Sequence, residues 1–365
     1  MSSFLSDRQV PCGPAGLLEG QGKKEEGAAK RRRPSICDCS CRTIAHRRDN
    51  SKSGRSLRGP VLEIRAEMGT WEAMALPFDP ADLPTGLLMP MSPLVARVLA
   101  PNPSPFTYTG TQTYLVGTDV VAVIDPGPAD PAHLAALASA ISGRPVAAIL
   151  CTHTHRDHSP AARPLSETTG APVVGCAPLT LEDDGPRADA AFDADYMPTR
   201  ILVDGDRVTG PGWTLEAVAT PGHTSNHLCF SLLEEKALFS GDHVMGWSTS
   251  VISPPDGDMT AYMASMQRLL GRDDVIYYPA HGEPVDQPRR LVRGMMGHRK
   301  QREGQIMRFL ERHGASAIPD MVSEMYKGVD SRLHPAAGRS VLAHLIDLDA
   351  RGLATPAGGG LWQIR

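Results

Sequence analysis

From about residue 85 onward, short apolar runs alternate with stretches of helical periodicity, and this alternation predicts the architecture of the chain. Two β-branched runs at 113–117 and 120–124 are separated by only two residues, which indicates a β-hairpin. The stretch 131–142 has helical spacing of its apolar residues and a proline at its start, which predicts a helix.

Six further apolar runs have the length and composition of buried strands. These runs occupy residues 147–151, 172–175, 214–219, 228–233, 237–240 and 275–279. A helix is predicted at 258–271, just before the last of these runs. Many short strands mixed with helices are typical of a layered α/β domain.

After residue 285 the pattern changes, and the rest of the chain is predicted to be mainly helical. Residues 287–313 read as one long charged helix, followed by shorter helices at 319–327 and 335–351. A glycine-rich turn at 358–360 and the strand-like LWQI close the chain. Two helices followed by a short β-ribbon indicate a small winged-helix-like module. The expected organisation is therefore a tail at 1–67, a catalytic domain at 85–285, a connecting helix at 286–318 and a winged-helix-like domain at 319–365.

Residues 1–67 differ from the rest of the chain in charge and patterning. They contain 14 Lys and Arg against 8 Asp and Glu, whereas the remainder contains 23 against 33. Because they lack hydrophobic periodicity, we expect a disordered basic tail, or sequence upstream of the true start. The CDCSC motif at 37–41 has no fourth ligand at a recognised spacing, so it does not predict a zinc site. The acidic remainder disfavours tight non-specific binding to nucleic acid.

The sequence contains no apolar run of the length that crosses a membrane, and its start has no continuous apolar segment of a signal peptide. Its 7 cysteines are scattered, and three of them fall in strand-like runs, where they read as small core residues. We therefore expect a cytoplasmic protein without a membrane partner. The sequence leaves the oligomeric state open.

The segment THTHRDH crowds three histidines and an aspartate into six positions, directly after a predicted buried strand. Side chains alternate in an extended chain, so His153 and His155 should point one way, while Asp157 and His158 turn toward a second centre. Neutral imidazole and carboxylate are both good zinc ligands. A bound cation explains the crowding, because it replaces mutual repulsion with shared coordination.

Three further candidate ligands follow at comparable strand-to-loop junctions. They are His223 in TPGHTSNH, Asp242 in FSGDH and His281 in YPAHGEP. We expect Asp242 to bridge two metals, of which one has three imidazole ligands and the other a carboxylate and two imidazoles. The predicted ligands of the first metal are His153, His155 and His223, and those of the second are Asp157, His158 and His281. We expect His227 and His243, which lie beside ligands, to support or pack.

This ligand set predicts hydrolysis by a hydroxide that bridges two metal ions, with Asp157 and Asp242 as the catalytic carboxylates. Zinc is the preferred metal for a centre rich in histidine, with iron and manganese as alternatives. No protein nucleophile is evident, because GWSTS at 246–250 does not match G-x-S-x-G.

The motif HTHRDH with the later His223, Asp242 and His281 resembles the metallo-β-lactamase superfamily. The stretches 102–117, 246–270 and 298–307 are similar to the beta-lactamase-like protein 2 family within it. This resemblance implies an α/β fold, the four-layer αββα sandwich with metals at one edge, and a C-terminal winged-helix-like domain. It also implies that Asp125, in IDPG, steadies the site without being a main ligand. The absence of a signal peptide makes antibiotic hydrolysis improbable.

The resemblance leaves the substrate open between a phosphodiester in single-stranded RNA and a carboxylic ester or thioester. Some relatives in the family cleave single-stranded RNA, and glyoxalase II, a thioester hydrolase, is a close cousin. The basic stretch 298–303 on the long helix suits RNA, although a solvated helix face explains it equally well. A third hypothesis is a nucleic-acid-binding module with a structural metal site.

Overall fold

The structure, a computed structural model, describes residues 79–179, 192–329 and 331–365. The predicted tail at 1–67 lies outside the described residues. Among the described residues, no helix combines the length and hydrophobicity that crossing a membrane requires.

The described residues form fifteen strands, which we number in chain order. The first seven are β1 (Leu88–Pro90), β2 (Val95–Leu99), β3 (Gln112–Val116), β4 (Val121–Ile124), β5 (Val146–Cys151), β6 (Val173–Gly175) and β7 (Arg200–Ile201). The next five are β8 (Arg207–Gly210), β9 (Trp213–Ala219), β10 (Leu228–Leu232), β11 (Ala237–Gly241) and β12 (Ile276–Pro279). The last three are β13 (Ser316–Ala317), β14 (Ala354–Gly358) and β15 (Leu361–Ile364).

Six α-helices and two short 3-10 helices complete the described elements. The α-helices are α1 (Pro131–Ile141), α2 (Ala162–Thr169), α3 (Met259–Leu270), α4 (Pro288–His313), α5 (Ile318–Met325) and α6 (His334–Ala350). The 3-10 helices are Pro80–Asp82 and Ser331–Leu333. Each of the helices and strands predicted from the sequence has a counterpart within one or two residues.

Within the described residues, β1 to β7 form one sheet in sequence order, and β12-β11-β10-β9-β8 form a second. The sheets mix antiparallel pairs with parallel ones, among them β4 with β5 and β11 with β12. The main core lies between the sheets, with Tyr114, Phe230 and Phe239 at its centre. Helices α1 and α2 pack on the first sheet, and α3 and α4 cover the second. The predicted αββα sandwich is confirmed.

Strand β10 shows why strands in the middle of the second sheet carry apolar residues on both faces. Its Leu228, Phe230 and Leu232 belong to the core between the sheets. Cys229, which points the other way, belongs to the core under α3 and α4. Because side chains alternate along a strand, a sheet covered on both faces needs apolar residues without interruption. The sequence prediction of buried strands rests on this requirement.

The ends of the helices follow from local chemistry. Asp130 and Asp258 accept hydrogen bonds at the starts of α1 and α3, from the backbone amides of His133 and Ala261 at 2.9 and 2.8 Å. Such caps satisfy amides that have no partner within the helix. Helix α1 then ends at Ser142, whose φ of 52° is left-handed.

The C-terminal module has its own small core, and α4 contributes to two cores. The N-terminal part of α4 packs through Val292 and Met295 in the core under α3. Its C-terminal part packs through Ile306, Phe309 and Leu310 against α5, α6 and the β14–β15 ribbon. Helices followed by an antiparallel ribbon give the predicted winged-helix arrangement.

Two features of the structure were not predicted from the sequence. Helix α2 was not predicted, because ARPLSETT is short and mostly polar and buries only Ala162 and Leu165. The basic stretch on α4 is not simply a solvated face, since Arg299 and Arg302 are buried. Their burial follows from the packing of α4 against two cores, which the sequence alone does not indicate.

Candidate metal centre

Strand ends bring the candidate ligands to one edge of the two sheets. Strand β5 ends at Cys151, and its continuation places His153 to His158 in a short loop. The parallel strands β11 and β12 of the second sheet end just before Asp242 and His281. Parallel strands deliver their carboxyl ends to the same edge, where loop residues can converge.

The turn that carries His223 requires the glycine before it. Gly222 has a φ of 138°, and a Cβ there would overlap the backbone of Tyr262 at the start of α3. The turn can therefore lie directly against α3 only with glycine at this position. Pro221 and Gly222 form a tight turn directly before His223.

Three histidines form one cluster, which we call the three-histidine cluster (His153, His155 and His223). The Nδ1 atom of His155 lies 2.9 Å from His153 Nε2 and 3.1 Å from His223 Nε2. With one oxygen of Asp242, the ligand atoms of this cluster all lie within 4.8 Å of one another. All four residues are buried.

The remaining candidates form a second group, which we call the carboxylate cluster (Asp157, His158 and His281). Asp157 Oδ2 lies 3.5 Å from His158 Nε2 and 3.2 Å from His281 Nε2. Their ligand atoms also lie within 4.8 Å of one another.

Asp242 lies between the clusters and presents a different oxygen to each. Its Oδ2 lies 3.7 Å from His223 Nε2. Its Oδ1 lies 3.5 Å from His158 Nε2 and 3.3 Å from His281 Nε2. The structure therefore brings all seven predicted residues together in the predicted grouping.

Asp125 and Thr152 hold the rings of the centre from behind. Asp125 follows β4 in a left-handed conformation, with a φ of 48°, and its Oδ2 lies 3.1 Å from His158 Nδ1. The same oxygen accepts a hydrogen bond from the Thr152 hydroxyl at 2.8 Å, and that hydroxyl lies 3.0 Å from His153 Nδ1. The predicted supporting position of Asp125 agrees with these contacts, whereas Thr152 was not predicted.

Two backbone carbonyls fix the other rings. His223 Nδ1 lies 2.6 Å from the Val251 carbonyl oxygen, and His281 Nδ1 lies 3.2 Å from that of Gly110. A ring that donates through Nδ1 presents its Nε2 lone pair to the centre, which is the arrangement that metal ligation needs. Every residue has a carbonyl, so no sequence pattern could have indicated these partners.

Burial and mutual repulsion keep His153 and His155 neutral. Burial, together with the neighbouring ring of His223, lowers the pKa of His155 to about 3. Burial also holds the pKa of His153 well below its usual value, with His158 adding to the effect. Neutral imidazoles have free lone pairs, so these rings are ready to bind a metal.

The carboxylate cluster shows the opposite electrostatics. Burial lowers the pKa of His158, but Asp157 and the other carboxylates outweigh it and raise that pKa well above its usual value. The pKa of His281 is raised in the same way, with Asp242 as the main cause. Burial opposes the ionisation of Asp157 and Asp242, yet the two imidazoles hold both carboxyl pKa values below the usual range.

The donor set fits divalent metal ions. Three buried atoms at the carboxylate cluster have no hydrogen-bond partner among the described residues, namely Asp157 Oδ1, His158 Nε2 and Asp242 Oδ1. Buried polar atoms are rarely left unpaired, so these atoms point to a missing ligand. Nitrogen and carboxylate oxygen together suit zinc and similar cations.

His227 and His243 lie behind the centre, outside both groups of ligand atoms. The Nδ1 atom of His227 lies 2.9 Å from the Thr220 hydroxyl, and its ring centroid lies 5.2 Å from that of His153. The His243 ring packs 4.7 Å from that of Tyr262. These contacts agree with the prediction that both histidines support or pack.

Two sheets covered by helices, with a histidine and aspartate centre at their edge, define a metal-dependent hydrolase of the metallo-β-lactamase fold. The profile of the Metallo-beta-lactamase superfamily matches residues 107–281, and that of the Beta-lactamase associated winged helix domain matches 317–362. The chain belongs to the metallo-β-lactamase superfamily, as its similarity to curated proteins also shows.

Two curated relatives illustrate the range of the family. A beta-lactamase-like protein 2 homolog from Drosophila melanogaster is 32% identical over 268 residues, covering 71% of this chain and 88% of the relative. An atrochrysone carboxyl ACP thioesterase from Claviceps purpurea is 32% identical over 244 residues, covering 65% and 73%. A metallo-beta-lactamase family protein from Thermus thermophilus has the same fold, with a TM-score of 0.61 at 21% identity over 75% of this chain and 99% of that one.

Proposed function

We propose that this protein is a dinuclear zinc hydrolase that cleaves carboxylic ester or thioester bonds. The observation that carries the proposal is the position of Asp242, whose two oxygens face different clusters at 3.7 Å from His223 and 3.3 Å from His281. A carboxylate in this position suits two metals that share one ligand. We assign the three-histidine cluster to the first metal and the carboxylate cluster to the second.

Zinc is our choice because imidazole nitrogen and carboxylate oxygen are its usual partners in hydrolytic sites. Two bound zinc ions would supply Lewis acidity, which lowers the pKa of water and polarises the carbonyl under attack. Iron and manganese accept the same donors, so metal content must be measured.

The protein's own groups would orient the ligands and accept protons. Asp125 receives the Nδ1 proton of His158, so the Nε2 atom of that ring faces the centre. We assign catalytic roles to Asp157 and Asp242. Asp157 Oδ1 is buried, has no hydrogen-bond partner among the described residues and can accept a proton from the attacking water, whereas both oxygens of Asp242 would be held by the metals.

Two observations favour an ester or thioester over RNA. The relative from Claviceps purpurea is named as a thioesterase, and the Cryptosporiopsis relative, 33% identical over 227 residues, has a similar name. In addition, Arg299 and Arg302 of the basic stretch are buried, so they are not available to bind phosphates.

The packing of α6 disfavours a role as a nucleic-acid-binding module. Thr260 on α3 donates a hydrogen bond of 2.6 Å to Asp347 on α6, and Ala343 of α6 lies in the core under α3. Helix α6 is thus partly covered by the catalytic part of the chain. We propose instead that the winged-helix-like domain at 319–365 and the helix at 286–318 support the domain at 85–285. We also propose a cytoplasmic location, since the three described cysteines are buried and unpaired.

The test is metal analysis of the purified protein, followed by assays on S-lactoylglutathione, simple acyl thioesters and single-stranded RNA. We expect about two zinc ions per chain and thioester hydrolysis that is lost in Asp242→Ala. Asp273→Ala, which removes an exposed carboxylate bonded to Lys236, is the matched control and should retain activity. RNA cleavage without thioester hydrolysis would select the nuclease function, and a metal-free, inactive protein would reject the proposal.

A further inference from the structure

We infer that Arg299, on α4, is a positioning residue that holds His223 in place through the loop at 246–253. This inference rests on the proposed metal-binding function. It assigns a role to a residue outside the stretch 107–281 that matches the superfamily profile.

Arg299 is buried and contacts both the loop and α3. Its side chain is 4% exposed, and its Nη2 donates a hydrogen bond to the Ser250 carbonyl. The guanidinium carbon lies 5.4 Å from the ring centroid of Tyr262 on α3. Among the described residues, no carboxylate forms an ion pair with this guanidinium. A buried cation without a carboxylate is costly, so the contacts to the Ser250 carbonyl and the Tyr262 ring must offset that cost.

Within the loop, Arg299 binds the carbonyl next to the one that His223 contacts. The residue after Ser250 is Val251, and the Val251 carbonyl lies 2.6 Å from His223 Nδ1. The adjacent carbonyl is therefore fixed by Arg299, and the carbonyl that orients the ligand follows in the same short stretch of backbone. A partner of this kind determines which ring nitrogen carries the proton and where the other one points.

The loop also forms a hydrogen bond to the segment that follows Asp242. The Ser250 hydroxyl donates a hydrogen bond of 2.7 Å to the His243 carbonyl, and His243 directly follows Asp242. Tyr262, which the guanidinium covers, has its hydroxyl 3.5 Å from the same Ser250 hydroxyl. Ser250 thus connects α3, α4 and the two loops that present His223 and Asp242. Without Arg299, this connection would lose its contact to α4.

Arg302 provides a matched control on the same helix. It is also buried, but it stacks over Tyr326, with its guanidinium carbon 4.2 Å from the ring centroid, and bonds to Gln305. Its contacts therefore lie on the C-terminal module and not on the loop at 246–253. Replacing either arginine with methionine removes a buried charge from α4. Only one of the two replacements should affect the metal centre.

The experiment is a zinc titration of the full chain against a competing chelator, for the wild type, Arg299→Met, Arg299→Lys and Arg302→Met. We expect Arg299→Met to weaken one of the two zinc equivalents by about 10- to 100-fold, as loss of an outer hydrogen-bond partner typically does. Arg299→Lys should give a smaller loss, because it keeps a donor but not the planar group over Tyr262. Arg302→Met should bind zinc like the wild type.

Equal zinc affinities in folded Arg299→Met and wild type would overturn the inference, as would an equal loss in Arg302→Met. If Arg299→Met does not fold, the same comparison is made with Arg299→Lys, and equal zinc affinities in Arg299→Lys and wild type would overturn the inference. A measurement on the wild type is independent of both variants: the imidazole ¹H–¹⁵N spectrum should show a hydrogen-bonded Nδ1 proton on His223. Its absence would also reject the inference. A wild type that binds no zinc would instead refute the proposed function.

Discussion

Buried histidines in the two clusters of the candidate centre have pKa values that are shifted in opposite directions. In the three-histidine cluster, burial lowers the pKa of His155 to about 3. In the carboxylate cluster, the pKa values of His158 and His281 are raised, although both rings are equally buried. Burial therefore cannot explain the difference. The carboxylates of Asp157 and Asp242 decide which imidazoles accept a proton.

This contrast has a consequence for metal binding. A metal that enters the three-histidine cluster meets His153 and His155 as neutral rings, so no proton has to leave these two ligands. A metal that enters the carboxylate cluster must displace protons that the carboxylates stabilise. We therefore expect the two clusters to differ in affinity and in pH dependence.

The largest effect is expected from Asp242→Ala, which removes the one residue that serves both clusters. Activity and zinc content should both fall, and the activity loss should exceed the roughly 100-fold effect of losing an outer hydrogen-bond partner. Zinc analysis and thioester turnover measure the two quantities. Asp242→Asn keeps the shape but not the charge and should remain severely impaired. Two tightly bound zinc ions in Asp242→Ala would contradict the bridging role.

The next effect separates the clusters. His153→Ala should remove the metal of the three-histidine cluster, and His281→Ala that of the carboxylate cluster, so each variant should bind about one zinc per chain. His313→Ala, which changes a half-exposed histidine at the end of α4, is the control and should bind two. If either ligand variant still bound two ions with wild-type affinity, the division into two clusters would be wrong.

A smaller effect is expected from Asp125→Asn. The amide cannot accept from the Thr152 hydroxyl and from His158 Nδ1 as strongly as the carboxylate does, so His158 should be held less firmly. We expect zinc affinity at the carboxylate cluster to fall by about 10- to 100-fold. Competition with a chelator measures this change, and an equal loss at both clusters would show that Asp125 does not act through His158 alone.

The smallest effect is expected from a change of pH. Because the pKa values of His158 and His281 are raised, protons compete with metal at the carboxylate cluster, and affinity should rise with pH. Lowering the pH from 8 to 7 should weaken this equivalent by about tenfold for each proton that the metal displaces. His155, whose pKa is lowered to about 3, takes up no proton over this range, so the equivalent at the three-histidine cluster should change less. Zinc titrations at the two pH values would contradict the contrast if both equivalents weakened alike.

Much of the fold was predictable because its signals are local. The run at 113–117 corresponds to β3 at Gln112–Val116, since β-branched residues between turn residues have few alternatives to a strand. Helix α2 was missed because its sequence is short and mostly polar and buries only two side chains. The burial of Arg299 was missed for a different reason. A basic residue on a charged helix gives no indication of which neighbour will cover it.

The sequence by itself determined the identity and order of the candidate ligands, because four of them lie in one six-residue segment and the rest follow strands that are themselves predictable. Only the tertiary structure decided which oxygen of Asp242 faces which cluster and which carbonyls hold His223 and His281. Those contacts join segments far apart in the chain. They depend on backbone groups that every residue carries, so no side-chain pattern can encode them.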